Sequence, residues 1–187
     1  MLPTDFSLFP ELVTERLILR KVCYEDAAAV LKLRGDEQVM QYIGKTPAVN
    51  MEEATGFVEM ILQALTNNEG ITWAMTLKED PANLIGTIGF WRLMKPHFRA
   101  EIGYMLRPDW WRQGYMKEAL LRVVDIGFQQ LNLHSIEANI NPDNLASANL
   151  LAATGFVKEA HFRENFFYNG VYSDTAVFSK LQPGADK

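Results

Sequence analysis

Pro108-Asp-Trp-Trp-Arg-Gln-Gly114-Tyr-Met-Lys-Glu-Ala-Leu-Leu121 carries the chain out of a strand, through one glycine and into a long amphipathic helix. Upstream, Ala100-Glu-Ile-Gly-Tyr-Met-Leu106 has the aromatic and β-branched content of a strand, and Pro108, which lacks an N–H, cannot continue it. Downstream, Met116, Ala119, Leu120, Val123, Val124, Gly127 and Leu131 recur at helical spacing. The backbone N–H groups from about Gly114 to Lys117 are therefore the unpaired donors of a helix start. Those donors, the helix dipole and the missing β-carbon at Gly114 suit close approach by a phosphate or pyrophosphate. Arg112 and Lys117 add positive charge. An ordinary strand-to-helix turn has the same geometry, so this stretch needs company to mean an anion site.

A second junction supplies it: Ile136-Glu-Ala-Asn-Ile-Asn141-Pro-Asp-Asn144-Leu-Ala-Ser147, followed by Leu150-Leu151 and Gly155-Phe156. Again a strand ends at a proline and a helix follows, with Asn144 as N-cap, Ser147 at the third helical position and Gly155 as a left-handed C-cap.

Together these residues resemble the GNAT superfamily of acetyl-CoA-dependent N-acetyltransferases, and the likeness covers nearly the whole chain. Thr14-Glu-Arg-Leu-Ile-Leu-Arg20 is similar to the first strand, Ala100–Leu106 to the fourth and Arg112-Gln-Gly-Tyr-Met-Lys117 to the pyrophosphate loop. Asn144 and Ser147 open the second cofactor helix, and Arg163-Glu-Asn with Tyr168-Asn-Gly170 resembles the closing hairpin. The branch that contains the ribosomal-protein-alanine N-terminal acetyltransferases is the most similar. The resemblance implies an α/β fold with a mixed, mostly antiparallel sheet, splayed between the fourth and fifth strands and covered by helices on both faces. It also implies acetyl-CoA as co-substrate. Its pantetheine arm would pair with backbone at Tyr104, Met105 and Leu106, its pyrophosphate would meet Arg112, Gln113, Gly114, Tyr115, Met116 and Lys117, and its amides would meet Asn144 and Ser147.

Two departures matter. The usual loop, Gln/Arg-x-x-Gly-x-Gly/Ala, holds Trp111, Gly114 and Met116 at its marked positions, and a Met116 side chain facing the phosphate would narrow the approach. Backbone donors tolerate the change otherwise. The tyrosine that many members carry four residues before the Gly-Phe pair, as acid for the departing thiolate, is Leu151 here, which cannot donate a proton. Ser147 matches a serine given that role in the branch, and its alternative reading is a first-turn hydroxyl bonded to backbone.

Acetyl transfer needs a base for the amine, stabilisation of the thioester oxygen and help for the leaving sulfur. Glu101 shares a strand face with Gly103 and Met105, and Glu137 with Asn139 and Asn141, so either could reach an amine or could be a salt-bridged structural carboxylate. Glu164 is a third candidate, although the branch's hairpin carboxylate aligns with Phe166. His97, His134 and His161 lack metal-ligand spacing, and no metal is expected.

The 187 residues fit one domain, 1–187, with tails 1–10 and 182–187 loosely held. Helices are expected at 26–33, 37–42, 51–65 and 115–130. Further strands are expected at 17–20, 71–77, 85–93 and 135–141, those at 71–77 and 85–93 joined through a turn at Lys78–Asn83, with two more after the second cofactor helix. The lone Cys23 excludes an internal disulfide and favours a reducing compartment, and no leader or long apolar run is seen, so a cytoplasmic protein off the membrane is expected. A net charge of −5 argues against nucleic-acid binding and permits a cationic substrate. Asp36, Glu37, Glu52 and Glu53 would lie on the acceptor wall, or would simply sit at helix starts. Three readings stand open: acetylation of a protein α-amino group, acetylation of a small amine such as a polyamine or aminoglycoside, and a non-catalytic acyl-CoA-binding module. The oligomeric state, monomer or homodimer, is equally open.

Overall fold

The computed structural model describes residues 9–184, and the remainder of both expected tails lies outside them. Eight strands form one sheet in the order β1-β2-β3-β4-β5-β6-β8-β7. They are β1 (Leu12–Val13), β2 (Leu17–Lys21), β3 (Ile71–Leu77), β4 (Asp80–Met94), β5 (Arg99–Leu106), β6 (Ser135–Ile140), β7 (Val157–Tyr168) and β8 (Val171–Leu181). The helices are α1 (Ala27–Arg34), α2 (Glu37–Met40), α3 (Met51–Thr66), α4 (Tyr115–Gln129) and α5 (Leu145–Ala153). Every neighbouring pair is antiparallel except β5 and β6, which run parallel. The short β1 precedes the first expected strand, so the expected fourth and fifth strands are β5 and β6.

Helices cover both faces. Val30 and Leu33 of α1 and Val58 and Ile61 of α3 pack with Ala74, Leu84 and Met105 on one side. On the other, Ala119, Leu120, Val123 and Val124 of α4 and Leu151 of α5 join the larger core around Trp73, Phe90, Ala100 and Ile102. Each such fully buried large apolar side chain contributes about 1.5–3 kcal/mol. Alternation along β5 thus sends even-numbered residues towards α4 and odd-numbered ones towards α1 and α3.

Two expectations need correction. The Lys78–Asn83 turn is a two-residue connection, Lys78-Glu79, with Leu77 opposite Asp80 and the extra residues absorbed as a bulge before Leu84. Pro81 is tolerated there because a bulged residue needs no ladder N–H. Arg20 fixes the bulge, donating from Nε to the Pro81 carbonyl at 2.9 Å while gripping the buried Asp26 with two bonds of 2.6 and 2.8 Å. The inner ends of both tails are also tied down. Phe9 stacks 5.7 Å from Trp73, whose indole N–H donates to the Pro10 carbonyl, and Gln182 N–H donates to His134. At the other hairpin, Asn169 and Gly170 both have positive φ, the pairing that a tight two-residue turn between twisted strands requires.

Gly89 marks where β3 and β4 pack most closely: a β-carbon there would lie 2.2 Å from the Ile71 carbonyl oxygen, whereas one at Gly56 on α3 would meet open space. Gly89→Ala is expected to lower stability by about 1–3 kcal/mol, and Gly56→Ala to raise it by about 0.5–1 kcal/mol. Denaturant melts of the two variants check this, and equal effects would contradict the steric assignment.

Candidate active site

The parallel ladder between β5 and β6 holds for three residue pairs only: Arg99 with Ser135, Ala100 with Ile136 and Glu101 with Glu137. Past Glu101 the strands part, since β6 continues in register with β8 to Ile140 while β5 stays with β4 to Leu106. The result is a wedge with Glu101 and Glu137 at its apex, Ile102 to Leu106 along one wall and Ala138 to Ile140 along the other. Open strand edge of this kind can pair with an extended amide-bearing chain. At its outer end the Leu106 carbonyl is already engaged by the Trp111 indole N–H at 2.7 Å, so the unoccupied edge lies deeper, towards Tyr104 and Met105.

The start of α4 closes the mouth of the wedge. Gly114 is its N-cap at φ 84° and ψ −4°, preceded by Arg112, also left-handed at φ 59°. Among the described residues, the backbone N–H groups of Gly114, Tyr115, Met116 and Lys117 have no protein acceptor; the first bond of the helix is Glu118 N–H to the Gly114 carbonyl. Trp110 Nε1 behind the loop is likewise buried without a partner. Arg112, Gln113 and Lys117 are exposed, as ligands of a solvent-facing anion must be, while Met116 packs its side chain against the core and leaves the approach clear. These unsatisfied donors and the free space at Gly114 fit a pyrophosphate.

The sequence reading missed what holds this loop. Arg16, just before β2, donates to Glu118 Oε2 at 2.8 Å and to the Gln113 carbonyl at 2.9 Å, and its guanidinium lies 4.2 Å from the Tyr115 ring centroid. A β-carbon on Gly114 would fall 3.3 Å from the same guanidinium. Burial acts to raise the Glu118 pKa, but the Thr14 hydroxyl, the Arg16 N–H and the guanidinium outweigh it and hold the carboxylate ionised below its usual range. Nothing local in Thr14-Glu-Arg16 signals this reach, which spans about a hundred residues of sequence.

The second junction forms as expected. Asn144 Oδ1 accepts Ser147 N–H at 3.0 Å, so its side-chain oxygen caps α5 and only its amide nitrogen remains to face a ligand. Ser147 Oγ lies 2.6 Å from Tyr104 Oη, a contact that joins α5 to the β5 wall. Leu151 is fully buried, so no acid can act from that position.

The apex carboxylates differ. Glu137 is engaged by the Arg99 guanidinium and by Asn139 Nδ2 at 2.8 Å. Glu101 is buried, and Arg92, its nearest cation, is 3.9 Å away and largely exposed. Burial pushes the Glu101 pKa up and outweighs the Asn139 amide, which pulls it down; the neighbouring Glu137 adds to the rise and Arg92 opposes it. Glu164 sits elsewhere, exposed in a bulge of β7 at φ 50° with its N–H on Asp174. Phe166 presses against Gly44, and Tyr168 Oη is 3.1 Å from Thr46 Oγ1, so the hairpin touches the loop between α2 and α3. Asp36 Oδ1 accepts the Gln38 and Val39 N–H groups, and Glu53 reaches back to the Val49 N–H: these two carboxylates are helix caps. Among the described residues no group of three or more His, Cys, Asp or Glu is placed to hold a metal, and no helix is long and apolar enough to cross a membrane.

The acetyltransferase (GNAT) domain family matches residues 16–157. The uncharacterized N-acetyltransferase YoaA of Bacillus subtilis (strain 168) is 38% identical over 176 residues, 94% of this chain and 99% of that protein. The chain belongs to the GNAT family. The [Ribosomal protein uS5]-alanine N-acetyltransferase of Escherichia coli (strain K12) is 30% identical over 105 residues, 56% of this chain and 54% of that one. The crystal structure of a Vibrio cholerae spermidine N-acetyltransferase in complex with CoA and spermine superimposes with a TM-score of 0.78 at 26% identity, covering 89% of this chain and 95% of that one. This GNAT chain is thus an acetyl-CoA-dependent N-acyltransferase, and the wedge with its donor loop is where the geometry fits the co-substrate.

Because Arg16 supports the loop from beneath, Arg16→Met is expected to weaken acetyl-CoA binding about 10-fold, as loss of a charge-assisted contact does, with little change in the melting curve. Calorimetric titration with acetyl-CoA checks this, and undiminished affinity would reduce Arg16 to a bystander.

Proposed function

We propose that this enzyme acetylates the N-terminal α-amino group of a protein, in the cytoplasm, by direct attack of the amine on the thioester, with Glu101 as general base and Ser147 as hydrogen-bond donor to the departing sulfur. Acetyl-CoA, when bound, supplies the activated acetyl group. Glu101 carries the reading: it is the buried apex carboxylate, its ion-pair partner Arg92 is exposed and no nearer than 3.9 Å, and it sits where β5 and β6 separate. An amine attacks only when neutral, and a carboxylate whose pKa is raised by burial is a stronger base for taking its proton near neutral pH. Glu137, held by Arg99, keeps Glu101 company as a charge and orients Asn139.

The two faces of β5 separate the roles. Glu101 lies on the α1 and α3 side and Tyr104 with Ser147 on the α4 and α5 side, about 10 Å further along the strand by its ordinary rise. An acceptor entering from the first side meets the base, and the sulfur lies towards the second. What supports a peptide amine over a polycation is that two of the four acceptor-wall carboxylates, Asp36 and Glu53, are committed as helix caps, leaving only the exposed Glu37 and Glu52, and that Phe166 with Tyr168 presents aromatic surface.

A polyamine is the second reading, favoured by the likeness to the spermidine enzyme over most of both chains, against about half of each for the alanine enzyme. Mass-spectrometric acetylation of a peptide library varied at its first residues, beside spermidine, spermine and aminoglycosides, separates them. Acetyl on peptide α-amino groups is expected, and modification of spermidine alone would move the enzyme to the polyamine class. With the acceptor in hand, Glu101→Gln is expected to lower kcat about 10²-fold or more. The wild-type activity should fall as pH drops through an ionisation above the ordinary glutamate range, because protonated Glu101 is no base. A retained limb in Glu101→Gln would assign it elsewhere.

A further inference from the structure

We propose that Tyr104 is a positioning residue whose phenol fixes Ser147 as the hydrogen-bond donor to the leaving sulfur, an arrangement that stands in for the tyrosine absent at position 151. It rests on the reading of Ser147 given above and adds the residue that makes that reading work.

A serine hydroxyl by itself rotates freely and can aim its hydrogen at backbone or at water. Here it cannot choose freely. Ser147 is buried, its N–H is taken by Asn144, and its Oγ stands 2.6 Å from Tyr104 Oη. Two hydroxyls in contact hold two hydrogens, of which one lies between the oxygens. The phenol is the stronger acid and the alkanol oxygen the better acceptor, so Tyr104 donates and Ser147 accepts. With Tyr104 donating, the unspent hydrogen belongs to Ser147, on the side where β5 and β6 open.

Burial keeps the arrangement one-way. The Tyr104 pKa is pushed up to about 12 by desolvation, with the Ser147 contact pulling weakly down, so the phenol holds its proton throughout the working range. Donation from Tyr104 also polarises the Ser147 O–H and strengthens its outward bond. During transfer the amine nitrogen bonds to the acetyl carbon, the carbon–sulfur bond breaks with its electron pair moving to sulfur, Glu101 takes the amine proton, and Ser147 hydrogen-bonds the sulfur anion. Solvent protonates the thiol on release, and neither hydroxyl ionises.

The test needs no acceptor. The thiol of CoA bound to the intact protein is titrated by its thiolate ultraviolet absorbance, in wild type, Tyr104→Phe, Ser147→Ala and the double variant, each at saturating CoA. Wild type should hold the thiol below its free value. Tyr104→Phe and Ser147→Ala should each raise it by about 1 pH unit, a 10-fold loss in ionisation that one oriented hydrogen bond to a charged group accounts for. The double variant should move no further than Ser147→Ala alone, because Tyr104 acts only through Ser147. A Tyr104→Phe titration that matches wild type while Ser147→Ala shifts would overturn the role of Tyr104 and leave Ser147 standing. Shifts that add in the double variant would overturn it too. If neither variant moves the thiol, the Ser147 reading fails with it. Absence of peptide acetylation beside these shifts would instead refute only the choice of acceptor.

Discussion

The feature on which the rest depends is the brevity of one parallel pairing. β5 and β6 share three residue pairs and then diverge, each held by a stronger antiparallel neighbour, β4 on one side and β8 on the other. Antiparallel ladders are slightly the more stable per residue, so the junction between two antiparallel half-sheets is where a twisted sheet opens. Everything with chemistry on it borders that opening: Glu101 at the apex, Tyr104 on one wall, Ser147 on the helix that follows the other, and the α4 donors at the mouth. A longer parallel ladder would satisfy the strand edges internally and leave nothing for an extended ligand to pair with.

The open edge must be held open by something other than itself, and the β1–β5 half-sheet is anchored on both of its faces. On the acceptor side, Arg20 ties β2, the buried Asp26 ahead of α1 and the β4 bulge into one unit. Burial of Asp26 acts against its ionisation, but the guanidinium and the Cys23 N–H overcome this and hold its pKa below the carboxylate range, so the anchor is intact at neutral pH and weakens only as acid protonates Asp26. On the cofactor side, Arg16 and Glu118 tie β2 to α4. Arg20 on β2 and Arg16 in the bend just before it therefore pin the two faces of one half-sheet.

Much of this was legible because it rests on local rules. The Gly114 turn, the Asn144 cap, the Gly155 C-cap and the apolar stripe of α4 each depend on neighbours in sequence, and each formed where periodicity and capping placed it. What was not legible depends on register between distant strands. Thr14-Glu-Arg16 gives no local hint that its side chains reach Glu118, a hundred residues on. Alternation put Glu101 and Glu137 on faces of their strands but not opposite one another, and nothing in the spacing of Tyr104 and Ser147 announced that they touch. The Lys78–Asn83 stretch misled for a related reason: Pro81 and Asn83 are turn formers, yet cross-strand pairing and Arg20 hold them as a bulge within β4. Met116 reads as an obstacle in the string alone, but the rotational setting of α4 turns its side chain to the core.

In the proposed reaction, specificity for the acceptor rests on a contact outside the wedge. The β7–β8 hairpin sits at the sheet edge, its aromatic residues largely exposed, yet its end is not free: Phe166 lies so close to Gly44 that a β-carbon there would sit 2.4 Å from the ring, and Thr46 meets Tyr168. Gly44 has φ 65°, a conformation that glycine adopts without strain, so the loop between α2 and α3 is shaped to accept the ring. Hairpin and loop thus close one boundary of the acceptor side as a unit. A side chain at position 44 would separate them without touching the cofactor loop. On the proposed reading, acceptor choice and cofactor binding are carried by different parts of the chain, which is how one wedge and one donor loop can serve relatives named for a protein amine and for a polyamine.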